Sequence, residues 1–233
     1  MPTTLNAEKF GVLQGNLQGS QAGAHGVATS AAVINNPTEP QAGMVAFRGT
    51  SGRGSSFQYT RTFIKVDCSG LTGTTDHKLL IPSVAGGSSE RVYAVKGVGA
   101  FDGEGGNLQS NNFDNLSLTT LFGPTGGNVW SGGNGGTNTI SLNAAFTSAF
   151  NSNDEIQIAL ITELDFEDET LEEPGNITNL IGFASEGLII RVTFEPPAAA
   201  GYNTAQKING LLISNTEKII GKALADIEKV SGL

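Results

Sequence analysis

The chain repeatedly alternates short segments rich in β-branched and aromatic residues with clusters of glycine, asparagine and serine. The clearest segment is FQYTRTFIKV, in which Phe57, Tyr59 and Arg61 occupy alternate positions ahead of Phe63. A period of two is typical of a β-strand. On the same grounds, strands are predicted over residues 57–66, 77–84, 91–98, 116–122, 137–142, 155–164 and 188–194.

Glycine explains how so many short strands can be connected. The chain has 32 glycines among 233 residues, and 15% of its residues are charged, against about 7% and about 25% in typical proteins. The loops GGSSE, DGEGGN, GPTGGN and SGGNGGTN can adopt the positive φ angles that tight turns need. We therefore expect a mainly β fold, an antiparallel sandwich, jelly roll or barrel, with an extended N-terminal arm and a C-terminal helix.

Three regions of different composition predict the domain organisation. Residues 1–47 contain only Glu8, Lys9 and Glu39 as charges and show no sustained helix or strand period. They are predicted to be an extended low-charge arm, either a flexible tail or a segment ordered on a neighbouring subunit. Residues 48–197 form the predicted β domain, and residues 198–233 contain a linker and the C-terminal helix.

The C-terminal helix is predicted over residues 216–230, with a glycine following its end. Its apolar residues repeat every seven positions with a second set three residues later, which is an a/d pattern. Two interpretations stay open: the helix packs on its own β domain, or it joins subunits in a dimer or trimer. The second interpretation predicts an oligomer contact made by Ile213, Ile220, Ala223, Ile227 and Val230.

The distribution of charge argues against a nucleic-acid partner. The formal net charge is −9, and no lysine or arginine occurs from Gly97 to Ile190. A phosphate backbone would be repelled by that stretch. We therefore expect no binding to nucleic acid.

The chain also lacks the features of a secreted or membrane protein. Its first residues have no basic segment followed by an apolar one, and no apolar run of 18 residues occurs. Cys68 is the single cysteine, so no disulfide can form within the chain. We expect a soluble protein from a reducing compartment, with no membrane partner.

The residues available for catalysis are few, because His25 and His77 are the only histidines. His77 follows Asp76 in TTDHKLL, which is predicted to be a surface turn, and the chain has no G-x-S-x-G nucleophile motif. Cys68 is expected to be a small buried residue rather than a nucleophile. The chain is therefore not expected to be an enzyme, and it has no predicted catalytic or cofactor-binding residue.

The acidic segment ELDFEDETLEE is the one candidate metal site. Carboxylate oxygens at this density suit Ca²⁺, although the spacing does not match an EF-hand. The predicted ligands are Glu163, Asp165, Glu167 and Asp168. The alternative interpretation is a solvated acidic loop after a strand.

The low-charge Gly/Asn/Gln-rich arm, the turn-dense β domain and the short terminal helix together resemble the organisation of bacteriophage virion structural proteins. The resemblance implies a capsid decoration or cement protein, or a tail or baseplate component, made in the host cytoplasm and located in the virion. Its partners would be other copies of itself and other virion proteins. The alternative is a carbohydrate- or receptor-binding β module that uses the Gly/Asn loops around Trp130.

Overall fold

The computed structural model describes residues 2–18, 43–51, 54–85, 91–102, 104–130, 136–168, 181–183, 190–197, 207–208 and 211–212. The chain divides into two compact units, Met1–Pro196 and Pro197–Leu233. The fold is mainly β and all its strand pairs are antiparallel, as the sequence predicts. The first unit contains almost all of the described elements.

The described strands are β1 (Thr3–Asn6), β2 (Lys9–Gln18), β3 (Gly43–Ser51), β4 (Gly54–Asp67), β5 (Thr75–Ala85), β6 (Arg91–Gly97), β7 (Leu116–Leu121), β8 (Asn128–Val129), β9 (Gly136–Ser141), β10 (Glu155–Thr162), β11 (Ile181–Phe183), β12 (Arg191–Glu195), β13 (Lys207–Ile208) and β14 (Leu211–Leu212). Two α-helices are described, α1 (Ala144–Phe150) and α2 (Glu163–Phe166). Two single 3₁₀ turns, Glu104–Gly106 and Ser110–Asn112, lie between β6 and β7.

The strands of the first unit form two sheets in a sandwich-like arrangement. The front sheet has the order β1-β12-β5-β9, and β11 lies beside β12 along the same edge of β5. The back sheet has the order β2-β4-β10-β6-β7. In the back sheet, β3 follows β10 along one edge of β4, and β8 follows β7 along the outer edge of β6. Pairing of β3 with β11 links the two sheets.

All seven predicted strand segments overlap an observed strand, namely β4, β5, β6, β7, β9, β10 and β12. The prediction over residues 155–164 extends two residues too far, because α2 begins at Glu163. The hydroxyl of Thr162 caps that helix by accepting a hydrogen bond from the Asp165 amide at 3.3 Å. Helix α1 is not predicted by the sequence pattern. It is capped by Asn143, whose Oδ1 accepts from two helix amides.

The N-terminal residues correct the predicted domain organisation. Residues 9–18 pair with β4 over their whole length, and β1 pairs with β12. Phe10 and Leu13 are buried, Leu13 completely. This part of the chain is therefore integral to the β domain and not a separate arm. Its glycines and glutamines hide the alternation on which the other strand predictions depend. The predicted boundary at residue 47 falls inside β3, and residues 19–42 lie outside the described part.

The inter-sheet core fills the space between the front and back sheets. Alternate residues of β4, β6 and β10 face it from the back sheet, and β5, β9 and β12 contribute from the front sheet. Helix α1 adds two phenylalanines. The core consists of Ala7, Phe10, Val12, Ile64, Val66, Cys68, Leu79, Ile81, Val92, Ala94, Phe122, Trp130, Ile140, Leu142, Phe146, Phe150, Ile156, Ile158, Leu160, Ile190, Val192 and Phe194.

The outer-face core covers the opposite face of the back sheet. The intervening positions of β4, β6 and β10 face it, and the segment of residues 98–115 and helix α2 lie over them. Burial on both faces explains why β10 is apolar at nearly consecutive positions. The core consists of Leu13, Phe57, Tyr59, Phe63, Tyr93, Val95, Ala100, Phe101, Leu108, Phe113, Ala159 and Ile161, with Leu116, Leu121, Leu164 and Phe166 packed against it.

The second unit, Pro197–Leu233, contains one described antiparallel pair, β13 with β14. These strands occupy part of the stretch that the sequence assigns to a linker. The predicted helix over 216–230 and the predicted oligomer contact, Ile213, Ile220, Ala223, Ile227 and Val230, lie outside the described residues. Both stay predictions.

Candidate functional site

Arg61 is the centre of a buried charge cluster that the sequence predictions missed. It lies on β4 between Tyr59 and Phe63, so strand alternation points its side chain into the outer-face core. The residue is 2% exposed. Because a buried guanidinium cannot lose its proton, it needs anionic partners. The sequence did contain a signal for this cluster, because Arg61 occupies one of the alternate positions of the strand that are otherwise aromatic, between Tyr59 and Phe63.

Asp165 and Asp114 supply those partners. Both carboxylate oxygens of Asp165 accept from Arg61, with distances of 2.9 Å to Nε and 2.8 Å to Nη2. Nη1 donates to Asp114 Oδ1 at 2.7 Å and to the Phe113 carbonyl at 3.1 Å. The guanidinium carbon lies 4.1 Å from the centre of the Phe113 ring. Arg61 therefore binds both elements that cover the outer face of the back sheet, because Asp165 belongs to α2 and Asp114 to the segment of residues 98–115.

The electrostatics of the cluster favour the ion pair. Burial lowers the pKa of Arg61, but the hydrogen bonds and charges of Asp165 and then of Asp114 outweigh it, so that the pKa lies above its ordinary value. The side chain of Asp165 is 1% exposed and that of Asp114 is 60% exposed. A bidentate carboxylate satisfies a guanidinium in a fixed geometry. Asp165 is accordingly the structural partner and Asp114 the peripheral one.

The four predicted Ca²⁺ ligands do not converge. Asp165 faces Arg61, whereas Glu163 lies 3.8 Å from the Arg91 guanidinium and Glu167 accepts from the Tyr93 hydroxyl at 3.5 Å. Asp168 is exposed and has a positive φ of 52°. Within the described ranges, no three histidine, cysteine or acidic side chains are grouped to hold a metal. Ca²⁺ binding stays a prediction, and it would require Asp165 to leave Arg61.

Asp165 also corrects the alternative interpretation of this segment. A solvated acidic loop would expose all of its carboxylates, but α2 turns Asp165 inward while Glu167 and Asp168 stay exposed. The physical reason is the helical period, which separates residues of one segment onto opposite faces. Phe166 also faces inward, since its ring stacks on the Tyr93 ring with 4.0 Å between the centroids.

His77 is buried, at 1% exposure, and not in the surface turn that the sequence predicts. It lies on β5 with Nε2 at 2.9 Å from Thr74 Oγ1 and Nδ1 at 3.0 Å from Thr147 Oγ1. Rings of three phenylalanines surround the imidazole: Phe146, Phe150 and Phe194. Burial lowers the pKa of His77, while the charge of Asp76 opposes the shift. The sequence TTDHK had indicated a turn because polar residues flank His77 on both sides, but β5 begins at Thr75.

Cys68 is confirmed as a buried residue of the inter-sheet core. Its thiol donates to the Asn153 carbonyl at 3.1 Å. Burial, followed by the charges of Asp67 and Asp154, raises the pKa of the thiol to about 11. Since the thiolate is the reactive form of cysteine, this thiol is poorly suited to nucleophilic chemistry.

Trp130 is 1% exposed and belongs to the inter-sheet core. A sugar-binding platform needs the face of an aromatic ring to be open to the ligand. The indole of Trp130 therefore does not form the contact surface that a carbohydrate-binding module would require. The loop that follows it, residues 131–135, lies outside the described part.

The outer edge of the back sheet exposes apolar side chains. Within the described part of the chain, the large hydrophobic residues with high exposure are Val98 at 51%, Leu118 at 40% and Val129 at 51%. Leu118 lies in β7 and Val129 in β8, and Val98 follows β6, where its amide donates to Asn115 at the start of β7. All three therefore lie along one edge, over about 23 Å at 3.3 Å per residue.

This edge is also free of charge along its own strands. Residues 115–153 include β7 and β8 and contain no aspartate, glutamate, lysine or arginine, in a chain whose net charge is −9. Natural sheet edges are commonly protected by charged residues. We call the surface formed by Val98, β7 and β8 the uncharged edge. Its own strands bring no charge to a contact, and the charged residues beside them, Arg91 and Lys96, belong to β6.

Comparison with known proteins identifies no relative: no protein-family model matches the sequence, and neither does any curated protein. Among the described residues, no helix is long and apolar enough to cross a membrane.

Proposed function

We propose that this chain is a structural protein of a bacteriophage particle, either a capsid decoration or cement protein or a tail or baseplate component. It works by assembling with further copies of itself and with other virion proteins. The uncharged edge is the observation that supports this proposal best, since it places exposed Leu118 and Val129 on neighbouring edge strands.

Charge makes a second copy of the chain the expected occupant of the edge. Two molecules that each carry a net charge of −9 repel one another over most orientations. Contact through residues 115–130 brings no carboxylate against another carboxylate. A twofold contact through the same surface on both copies is the commonest arrangement of a homodimer.

The buried polar groups support a structural role for the rest of the domain. Arg61 is neutralised by Asp165, His77 is held between two threonine hydroxyls, and the pKa of Cys68 is raised. Each of these three groups has a contact that stabilises the fold. This assignment agrees with a protein whose function is to assemble.

Light scattering of the purified protein tests self-assembly. We expect the wild type to have a mass above that of the 24.0 kDa monomer at micromolar concentration. The double variant Leu118→Lys, Val129→Lys should have the monomer mass and stay folded, because both side chains are exposed. Charge placed in an apolar contact opposes association.

The matched control is Thr72→Lys, Ser152→Lys, which adds the same charge at two exposed positions away from the edge. It should keep the wild-type mass. A wild type that is monomeric, or an edge variant that assembles like the control, contradicts self-assembly through this edge. The virion assignment has its own test, which is mass spectrometry of purified particles from the same source. Absence of the chain from them contradicts it.

A further inference from the structure

The surroundings of His77 determine where its proton lies. Asn151 is oriented by two hydrogen bonds, since its Oδ1 accepts from the Thr74 amide at 2.9 Å and its Nδ2 donates to the Thr74 carbonyl at 2.9 Å. The Thr74 hydroxyl donates to the same Oδ1 at 2.6 Å. That hydroxyl has one proton, so it must accept from His77 Nε2–H.

The opposite ring nitrogen is then an acceptor. With the proton on Nε2, neutral His77 has a lone pair on Nδ1, and the Thr147 hydroxyl on α1 donates to it. A chain of hydrogen bonds therefore runs from α1 through His77 on β5 to Thr74 and on to Asn151. It connects the middle and the C-terminal end of α1 to β5 and the residue before it, because Thr147 is at the centre of the helix and Asn151 directly follows it.

Protonation reverses one hydrogen bond of this chain. A proton added from solvent at Nδ1 makes both ring nitrogens donors, so the Thr147 hydroxyl must turn its own proton away. The new positive charge lies among three phenylalanine rings, those of Phe146, Phe150 and Phe194. Burial of an imidazolium without a carboxylate partner costs free energy.

The charged groups around His77 cannot supply that partner. Asp76 and Lys78 on its own strand are exposed and pair with each other at 2.9 Å. Helix α1 has no titratable residue, and the turn after it contributes the exposed Asp154. Glu195 on β12 is opposite Thr75 rather than opposite His77. Each of these carboxylates belongs to the surface, whereas the imidazole is enclosed.

We propose that His77 is an acid-sensitive latch: a proton gained at Nδ1 reverses the hydrogen bond to Thr147, places an imidazolium among three phenylalanine rings, and so releases α1 from the front sheet. The back sheet contains no histidine among its described residues and keeps its structure. The change is local to residues 142–154, which connect β9 to β10. This inference does not depend on the proposed function.

The direction of the pH effect follows from linkage. Burial lowers the pKa of His77 in the folded protein below its ordinary value of 6.5. The open form, in which α1 has left the front sheet, therefore binds the proton more readily than the closed form. The closed form is fully favoured above about pH 6.5. The equilibrium constant for closing falls by up to about tenfold for each pH unit below that, until the pH reaches the pKa of His77 in the folded protein.

Hydrogen exchange of the full-length protein at pH 7.5 and pH 5.0, corrected for the intrinsic rate, is the test. Protection of the α1 amides should fall at pH 5.0, by up to about 30-fold, while that of β4 and β10 is unchanged. His77→Gln should abolish the pH dependence. His25→Gln, which changes the other histidine, should retain it. The same loss of protection in both variants would overturn the proposal.

Two further measurements keep the test decisive if His77→Gln does not fold. NMR titration of the wild-type imidazole should give a pKa below 6.5, and a value at or above 6.5 would overturn the proposal. Thr147→Val removes the hydroxyl that faces Nδ1 and leaves imidazolium without an acceptor. The pKa of His77 in the folded protein should therefore fall below the wild-type value, and α1 should open at a higher pH than in the wild type. An unchanged pKa would contradict the role of this hydrogen bond.

Discussion

The two faces of the back sheet come from the same strands but are covered in different ways. The inner face packs on a second sheet through apolar side chains, whereas the outer face is covered by a loop segment and the four-residue helix α2. Among the described residues, the buried charges are those of Arg61 and Asp165, and both lie at the outer face. Apolar packing is non-directional, but a guanidinium accepts its carboxylate in one geometry. The ion pair therefore fixes the position of α2 and the segment of residues 98–115, which have little regular structure.

The largest effect should come from breaking the buried ion pair. Asp165→Asn leaves the Arg61 charge buried with one peripheral carboxylate, and should cost about 3–5 kcal/mol of unfolding free energy. Urea denaturation measures the loss. Asp114→Asn is the matched control and should cost about 1 kcal/mol or less, since Asp114 is largely exposed.

A double replacement sharpens the same comparison. Arg61→Met with Asp165→Leu makes the outer face apolar like the inner one, and should recover most of the stability lost in Asp165→Asn. If Asp165→Asn lowers the unfolding free energy no more than Asp114→Asn does, the ion pair does not hold α2 and the segment of residues 98–115 on the outer face.

The N-terminal strand should contribute to both faces. Leu13 is completely buried in the outer-face core, so Leu13→Ala should cost about 2–5 kcal/mol in urea denaturation. The neighbouring Gln14 is half-buried, and Gln14→Ala should change stability by about 0.5 kcal/mol or less. Equal effects of the two substitutions would show that β2 is not part of the core.

Gly127 tests how tightly the outer face is packed. Its φ is +66°, and a Cβ there would lie 2.9 Å from the Tyr93 ring, which is stacked on Phe166. Gly70 has a similar φ of +74° with open space around it. Gly70→Ala should therefore cost about 1–2 kcal/mol from the backbone alone.

Gly127→Ala should cost about 1–3 kcal/mol more, because the ring must shift. Thermal or urea unfolding of the two variants measures the difference. Equal losses would mean that the outer-face core yields easily around Tyr93.

The smallest expected effect concerns the inner face. With its pKa raised to about 11, the buried Cys68 thiol should react with a disulfide reagent at pH 8 about 100-fold more slowly in the folded protein than in urea. Absorbance of the released thiolate measures the rate. Comparable rates in the two states would mean that the inter-sheet core opens readily near β4.

The positions of most strands could be predicted because strand alternation is a local property. In FQYTRTFIKV the period of two is visible within ten residues, and it agrees with β4. The same test failed for β2, where glycine and glutamine interrupt the pattern. Pairing with β4 stabilises β2, and no local window contains that partner, because the paired residues range from Gln18 with Ser56 to Lys9 with Lys65.

The burial of individual polar residues depended on contacts distant in sequence. Arg61 meets Asp165 across 104 residues, and His77 meets Thr147 across 70. A charged residue in a strand and a histidine beside polar neighbours both favour an exposed position when judged by composition. The tertiary structure overturned the predicted surface turn at His77 and buried Arg61, for which only a strand had been predicted, because burial is set by the elements that cover a residue. The amino-acid order thus specified strands, turns and the uncharged stretch, and long-range packing selected which polar groups became internal.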